Sequence, residues 1–287
     1  MRFLKKKLIW LVSALILAVG LVGFNLFSSS ASEDKLVVAF LDVGQGDAIF
    51  IETPNGIQAL IDGGGSNRVM LELGSMMPFG DQTLDLIIAT HPDKDHIGGL
   101  IPVLENYEVE KILESPIETD TKVFGLLKDA IIKEQGGRVF AEAGDIIWLD
   151  QPRSVYLKIL SVGGVGKKTN EAAIVAELHY GETEFLLTAD IGALTEAELM
   201  KNWGAEIDTD ILKVAHHGSR YSTTSEFLEL ASPAIAVISA GAKNPYGHPH
   251  KDMLGRLEKL KIPVLGTYSE GTIIFESDGE TISRLKQ

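Results

Sequence analysis

Thr90-His91-Pro92-Asp93-Lys94-Asp95-His96 places two imidazoles and two carboxylates within six positions, and Gly98 and Gly99 follow. Imidazoles and carboxylates are the donors that divalent metals take from a protein without cysteine. So dense a set predicts two ions about 3.5–4 Å apart, with ligands drawn from both ends of one tight loop. An uncharged imidazole and a carboxylate at alternate positions can point the same way, as His91 and Asp93 would. The competing reading is a helix cap made by Asp93 or Asp95. It explains one carboxylate and leaves three donors idle.

The elements around this run must deliver it. The apolar Leu84-Asp85-Leu86-Ile87-Ile88-Ala89 ends where the donors begin and reads as a buried strand. Upstream, strands are expected over 36–42, 47–53 and 57–62, with Pro54-Asn55-Gly56 turning the last two into a hairpin. Downstream come a helix over 97–106, a strand over 109–113 and an amphipathic helix over 121–135. Strands follow over 146–149, 155–161, 172–180 and 184–189. Helices 194–202, 224–231 and 250–260 then alternate with strands 210–215, 234–239, 263–267 and 272–277. Gly163-Gly164-Val165-Gly166-Lys167-Lys168 lacks the spacing of a phosphate-binding loop.

Further donors stand at strand ends. Asp190 follows 184–189, where it can serve a metal or cap the next helix. His216 and His217 follow 210–215, and strand alternation would let only one of them face the site. His248 and His250 lie in a Pro/Gly-rich loop, and His250 is placed to cap helix 250–260. Asp62 beside Gly63 is expected to brace the metal loop from behind, as is Asp47. His179, at a strand end beside Gly181, reads as a surface residue.

His-x-x-x-Asp-His after an apolar strand resembles the metallo-β-lactamase superfamily, whose usual signature is His-x-His-x-Asp-His. Here Asp93 stands where the second His is usual. With Phe40-Leu41-Asp42-Val43-Gly44-Gln45-Gly46-Asp47-Ala48 upstream, the variant resembles the hydrolase domain of ComEC-type competence proteins. Leu186-Leu187-Thr188-Ala189-Asp190, Leu212-Lys213-Val214-Ala215-His216-His217-Gly218-Ser219 and Asn244-Pro245-Tyr246-Gly247-His248-Pro249-His250 extend the match over roughly residues 36 to 277.

The resemblance implies an α/β fold, a four-layer αββα sandwich over residues 35–287. It assigns His91 and Asp93 to one metal, Asp95 and His96 to the other, Asp190 to both, and His217 as the last ligand. It leaves His216 and His248 beside the site to bond phosphate or move a proton. The superfamily's further His before the bridging Asp is missing; Lys168-Thr169-Asn170-Glu171-Ala172 stands there. More oxygen donors shift preference from Zn²⁺ toward Mn²⁺. Two divalent ions, Zn²⁺ or Mn²⁺, are the expected cofactors. The implied chemistry is hydrolysis by a metal-bridging hydroxide that Asp95 orients, with a phosphodiester (DNA or a cell-wall polymer) as the favoured substrate. A lactamase- or lactonase-type acyl hydrolase and a catalytically idle, metal-stabilised binding module are the alternatives.

The bulk composition narrows this. Among 287 residues there is no cysteine, which excludes disulfides and Cys-ligated zinc. The net charge of −14 argues against tight non-specific nucleic-acid binding. Arg2 and Lys5-Lys6-Lys7 precede an uncharged, mostly apolar stretch from Leu8 to Phe27, followed by Ser28-Ser29-Ser30-Ala31-Ser32. Residues 1–34 thus read as an export segment, either a signal peptide cleaved after Ala31 or a retained transmembrane anchor. Its basic residues set the bulk of the chain outside the cytoplasm. The expected location is extracellular or on the outer face of the cytoplasmic membrane.

Overall fold

In the computed structural model, residues 35–134, 136–163 and 168–286 are described, so the expected export segment lies outside the described residues. Leu36–Phe40 (β1), Ile49–Glu52 (β2) and Gln58–Ile61 (β3) pair antiparallel. Gly56 makes the β2–β3 turn with φ +81°, a conformation glycine adopts without steric cost. Arg68–Met76 (α1) leads to Thr83–Ala89 (β4), which lies parallel to β3. Two short helices follow, Lys94–Ile97 (α2) and Leu100–Asn106 (α3), then Glu108–Glu114 (β5), Lys122–Lys133 (α4) and Gly137–Phe140 (β6).

The second half repeats the plan. Ile146–Asp150 (β7), Val155–Ser161 (β8), Val175–Tyr180 (β9) and Thr183–Leu187 (β10) pair antiparallel in sequence. Ala193–Trp203 (α5), Ile211–Lys213 (β11), Ser225–Ala231 (α6), Ile235–Ile238 (β12), Lys251–Lys259 (α7) and Val264–Gly266 (β13) follow. β10 to β13 run parallel. Thr267–Glu270 (α8), Ile273–Ser277 (β14) and Ile282–Leu285 (β15) return the chain to the first sheet.

The strand orders are β15-β14-β1-β2-β3-β4-β5-β6 and β13-β12-β11-β10-β9-β8-β7. One core unites both sheets, with Phe40, Ile51 and Ile88 from the first against Leu157, Leu178 and Phe185 from the second. A second core packs the first sheet's other face on α1, α3 and α4 through Leu73, Leu100 and Leu127. A third packs the second sheet on α5, α6 and α7 through Leu199, Phe227 and Leu257. Side chains alternate along each strand, so each sheet buries both faces and four layers result. Among the described residues no helix is long and apolar enough to cross a membrane.

Three expectations need correction. The helix expected over 97–106 begins earlier and breaks at Gly98-Gly99. A Cβ on Gly99 would lie 1.9 Å from the Gly63 carbonyl oxygen, so two loops meet there with no room for a side chain. α1, β6 and β15 have no counterpart in the sequence reading; β6 is exposed at all four positions and carries no alternation. His179 is not a surface residue. Its ring stacks on Tyr156, with centroids 4.6 Å apart, and Nε2 lies 2.9 Å from the fully buried Glu177. Burial opposes its protonation, but Glu177 and Glu184 outweigh it and raise its pKa to about 9.

Candidate metal centre

The C-terminal ends of β3, β4, β10, β11 and β12 meet at one edge of the sandwich, and the donor residues lie just beyond them. β4 releases Thr90 and His91. Asp93 takes the N-cap position of α2 without making a cap hydrogen bond, so the helix-cap reading fails for it. Asp95 and His96 sit in the single turn of α2. Asp190 follows β10, and Gly192, not Asp190, holds the N-cap position of α5.

Strand alternation does not govern His216 and His217. β11 stops at Lys213, and both histidines adopt left-handed backbone, with φ +50° and +54°. Both rings consequently approach Asp190, His217 at 3.4 Å and His216 at 3.8 Å. Asp62 and Ala189 share positive φ, so four non-glycine residues around the centre hold a sparsely populated conformation.

Asp190 lies at the middle. Its Oδ1 is 3.3 Å from His96 Nε2 and its Oδ2 faces His217 Nε2. Asp95 Oδ2 is 3.4 Å from His217 Nε2, and Asp93 Oδ2 is 3.9 Å from His91 Nε2. The His91 and His96 rings are 4.0 Å apart. Donor atoms of Asp95, His96 and His217 lie within 4.8 Å of one another. The structure therefore brings together His91, Asp93, Asp95, His96, Asp190 and His217. His248 stands at the rim, its ring 5.7 Å from His216 and 6.4 Å from His217. His250 lies apart and accepts from the Asp252 amide at the start of α7.

Each buried imidazole is aimed by a bond on its far nitrogen. His96 Nδ1 bonds Asp62 at 2.7 Å, and His217 Nδ1 bonds the Ser239 carbonyl at 2.9 Å. Asp62 also accepts from the Thr90 amide and hydroxyl, and Thr90 Oγ1 bonds His91 Nδ1 at 3.0 Å. Nδ1 is thereby the protonated nitrogen in each ring, which leaves Nε2 as the donor toward the centre. Asp62 also lies close enough to His91 and His96 to form a donor triple. Its oxygens are already occupied, and it meets His96 from behind, so it braces and does not ligate.

The Nε2 atoms of His91, His96 and His217 and Oδ1 of Asp190 are buried and make no hydrogen bond. Such groups are costly to leave unsatisfied, and together they fit divalent ions. Charge agrees. Asp47, Asp62, Asp93, Asp95 and Asp190 carry five negative charges against one ammonium, Lys213, leaving four for two dications to neutralise. Without ions the field is severe. Burial disfavours the charged form of His96 and His217, yet Asp190, aided by Asp62 and Asp47 respectively, raises both well above the ordinary range. Burial pushes Asp190 up, but His217 and His96 outweigh it and hold it well below its usual value. Burial, reinforced by His96, lowers His91 to about 3.

The sequence reading missed Lys213. It is fully buried, its Nζ is 2.6 Å from Asp47 Oδ2, and Asp47 Oδ1 lies 3.3 Å from His217 Nδ1. A lysine inside the apolar Ile211-Leu212-Lys213-Val214 was the available signal, because a buried ammonium needs a partner.

Residues 41–242 match the family model described as the metallo-beta-lactamase superfamily. The chain belongs to that superfamily. Within it the chain is related to competence proteins. It is 32% identical to ComE operon protein 3 of Bacillus subtilis, over 88% of this chain and 34% of that protein. It is 33% identical to Recombination protein 2 of Haemophilus influenzae, over 81% of this chain and 28% of that one. The chain thus spans about a third of the length of these relatives. Among solved structures, the metallo-beta-lactamase fold protein YhfI of Bacillus subtilis superposes with a TM-score of 0.55 at 10% identity, over 82% of this chain and 98% of that one. At that identity the likeness speaks for the fold alone.

Proposed function

We propose that this protein is an exported, binuclear metal-dependent phosphodiesterase. The observation that carries the reading is that the unbonded Nε2 atoms of His96 and His217 both face the buried carboxylate of Asp190, with the unbonded Nε2 of His91 beside Asp93. His91 and Asp93 would hold one ion, Asp95, His96 and His217 the other, and Asp190 both. A divalent pair bound there lowers the pKa of water toward neutrality and neutralises charge on a developing oxyanion.

The protein's own groups supply the rest. Asp93, Asp95 and His216 are the solvent-facing members, with side chains 37, 31 and 35% exposed, so substrate enters on their side. Asp95 orients the attacking water. His216 and His248 meet edge to face beside the centre, their ring centroids 5.7 Å apart, and serve the leaving oxygen, which needs a proton. Two observations favour a phosphodiester over an acyl substrate. The donor set is rich in oxygen, with Asp93 in place of an imidazole and no histidine within the stretch Lys168-Thr169-Asn170-Glu171-Ala172. Relatives carry the names Recombination protein 2 and Competence protein ComA. Export rests on the charge and apolar pattern of residues 1–34, with the membrane as partner if that segment is retained. The net charge of −14 suits a substrate held by its metals better than one gripped along its backbone.

The test is hydrolysis of bis(p-nitrophenyl) phosphate by the full-length protein in detergent, stripped and reloaded with Mn²⁺ or Zn²⁺. Turnover should require metal and fall about 100-fold or more in Asp95→Ala, the scale of losing a positioned proton-transfer group. Protein that holds two ions yet shows no turnover would remove the phosphodiesterase reading.

A further inference from the structure

Tyr246 is 64% exposed, yet it is not loosely held. The Asn244 side chain pins its loop at four points. Asn244 Nδ2 donates to the carbonyls of Gly241 and His248, and Oδ1 accepts from the amides of Tyr246 and His248. The Tyr246 ring stacks on His248, with centroids 5.8 Å apart and planes 27° apart. His248 in turn stands against His216 and His217. A line of rings therefore runs outward from the centre through His217 and His248 to Tyr246.

An exposed ring on a rigid loop gains little from folding, because most of its apolar surface stays in water. It does suit recognition: an amphipathic ring with few torsions to freeze binds a flat partner at low entropic cost. One side of the ring is covered by His248, and its exposure leaves the other open. Groups attached to a phosphate lodged among His216, His248 and the carboxylates must leave across this rim.

We propose that Tyr246 is a specificity-determining platform on which a nucleobase of the substrate stacks, one nucleoside away from the phosphate at the centre. The inference rests on the phosphodiesterase reading for the position of that phosphate. A base–aromatic stack is worth roughly a tenfold change in affinity and tolerates any base, since every base has a π-face. It also supplies binding that draws on no basic groups, which suits a chain of net charge −14.

The test is equilibrium binding of a thymidine dinucleotide and of its abasic dinucleotide analogue, by calorimetry, to full-length protein loaded with Ca²⁺ in detergent. Wild type should prefer the base-bearing ligand about tenfold. Tyr246→Ala should abolish that preference, and Tyr246→Phe should keep it, because stacking needs the ring and not the hydroxyl. Tyr221→Ala, which removes another exposed tyrosine, should also keep it. Equal affinity of wild type for the two ligands would overturn the proposal, as would a preference that survives Tyr246→Ala. Bound metal, measured in each variant, guards against a misfolded rim. Binding is read without turnover, so base preference with no hydrolysis of bis(p-nitrophenyl) phosphate would reject the phosphodiesterase and leave the platform. Hydrolysis without base preference would do the reverse.

Discussion

Asp62 accepts three hydrogen bonds, and each ends at a group that aims an imidazole toward the centre. Asp62→Asn keeps the shape and loses an acceptor, so His96 and Thr90 are no longer both fixed. Metal affinity should fall about 10–100-fold, the usual cost of losing such a partner, as read by competition with a chelating dye. His179 offers a test away from the metals. Its folded pKa of about 9 lies above the ordinary 6.5, so its pairing with Glu177 and Glu184 stabilises fully below pH 6.5 and is lost as pH rises through 9. The difference in melting temperature between wild type and His179→Gln should be largest near pH 6 and shrink toward pH 10. A difference that stays constant over that range would show that His179 contributes packing and not charge.

Two loops, Asp62-Gly63-Gly64-Gly65 and the α2–α3 junction, interlock through their backbones. Gly63 N donates to the His96 carbonyl, Gly99 N to the Gly64 carbonyl, and neither Gly63 nor Gly99 has space for a Cβ. Gly99→Ala should therefore cost about 1–3 kcal/mol, as overpacking does, in urea unfolding, and should loosen the metals as well. This junction marks where the sequence was legible and where it was not. The donors could be read because metal chemistry permits few residue types and the first loop crowds four of them into six positions. The strands of the sandwich could be read because alternation and apolar runs mark them. β6 could not, because it is an exposed edge. The left-handed His216 and His217 could not, because no local preference favours that backbone; contacts from distant elements hold it. The Asp47–Lys213 pair was invisible for the same reason, since each partner lies far from the other along the chain.

Across the whole molecule, the centre joins loops from both sheets. Asp47, Asp62, His91, Asp93, Asp95 and His96 come from the first sheet's side, and Asp190, Lys213 and His217 from the second's. Ions that bind only this assembled state stabilise it by mass action. At a free Mn²⁺ concentration about 100 times Kd, the gain is about 2.7 kcal/mol, or roughly 5–10 °C in melting temperature. A chelator should reverse it, and scanning calorimetry with and without the ion would read both. An unchanged melting temperature on loading would mean that the two sheets do not depend on the centre to stay together. The division of donors between the two halves also sets an order of events during synthesis. The early half emerges with six of the centre's acidic and imidazole groups and none of the later half's to close them. Only when β10 and β11 have joined the second sheet do Asp190 and His217 arrive opposite. Ions that need donors from both halves would bind only a chain in which the two halves have been joined, so a loaded centre would report that joining.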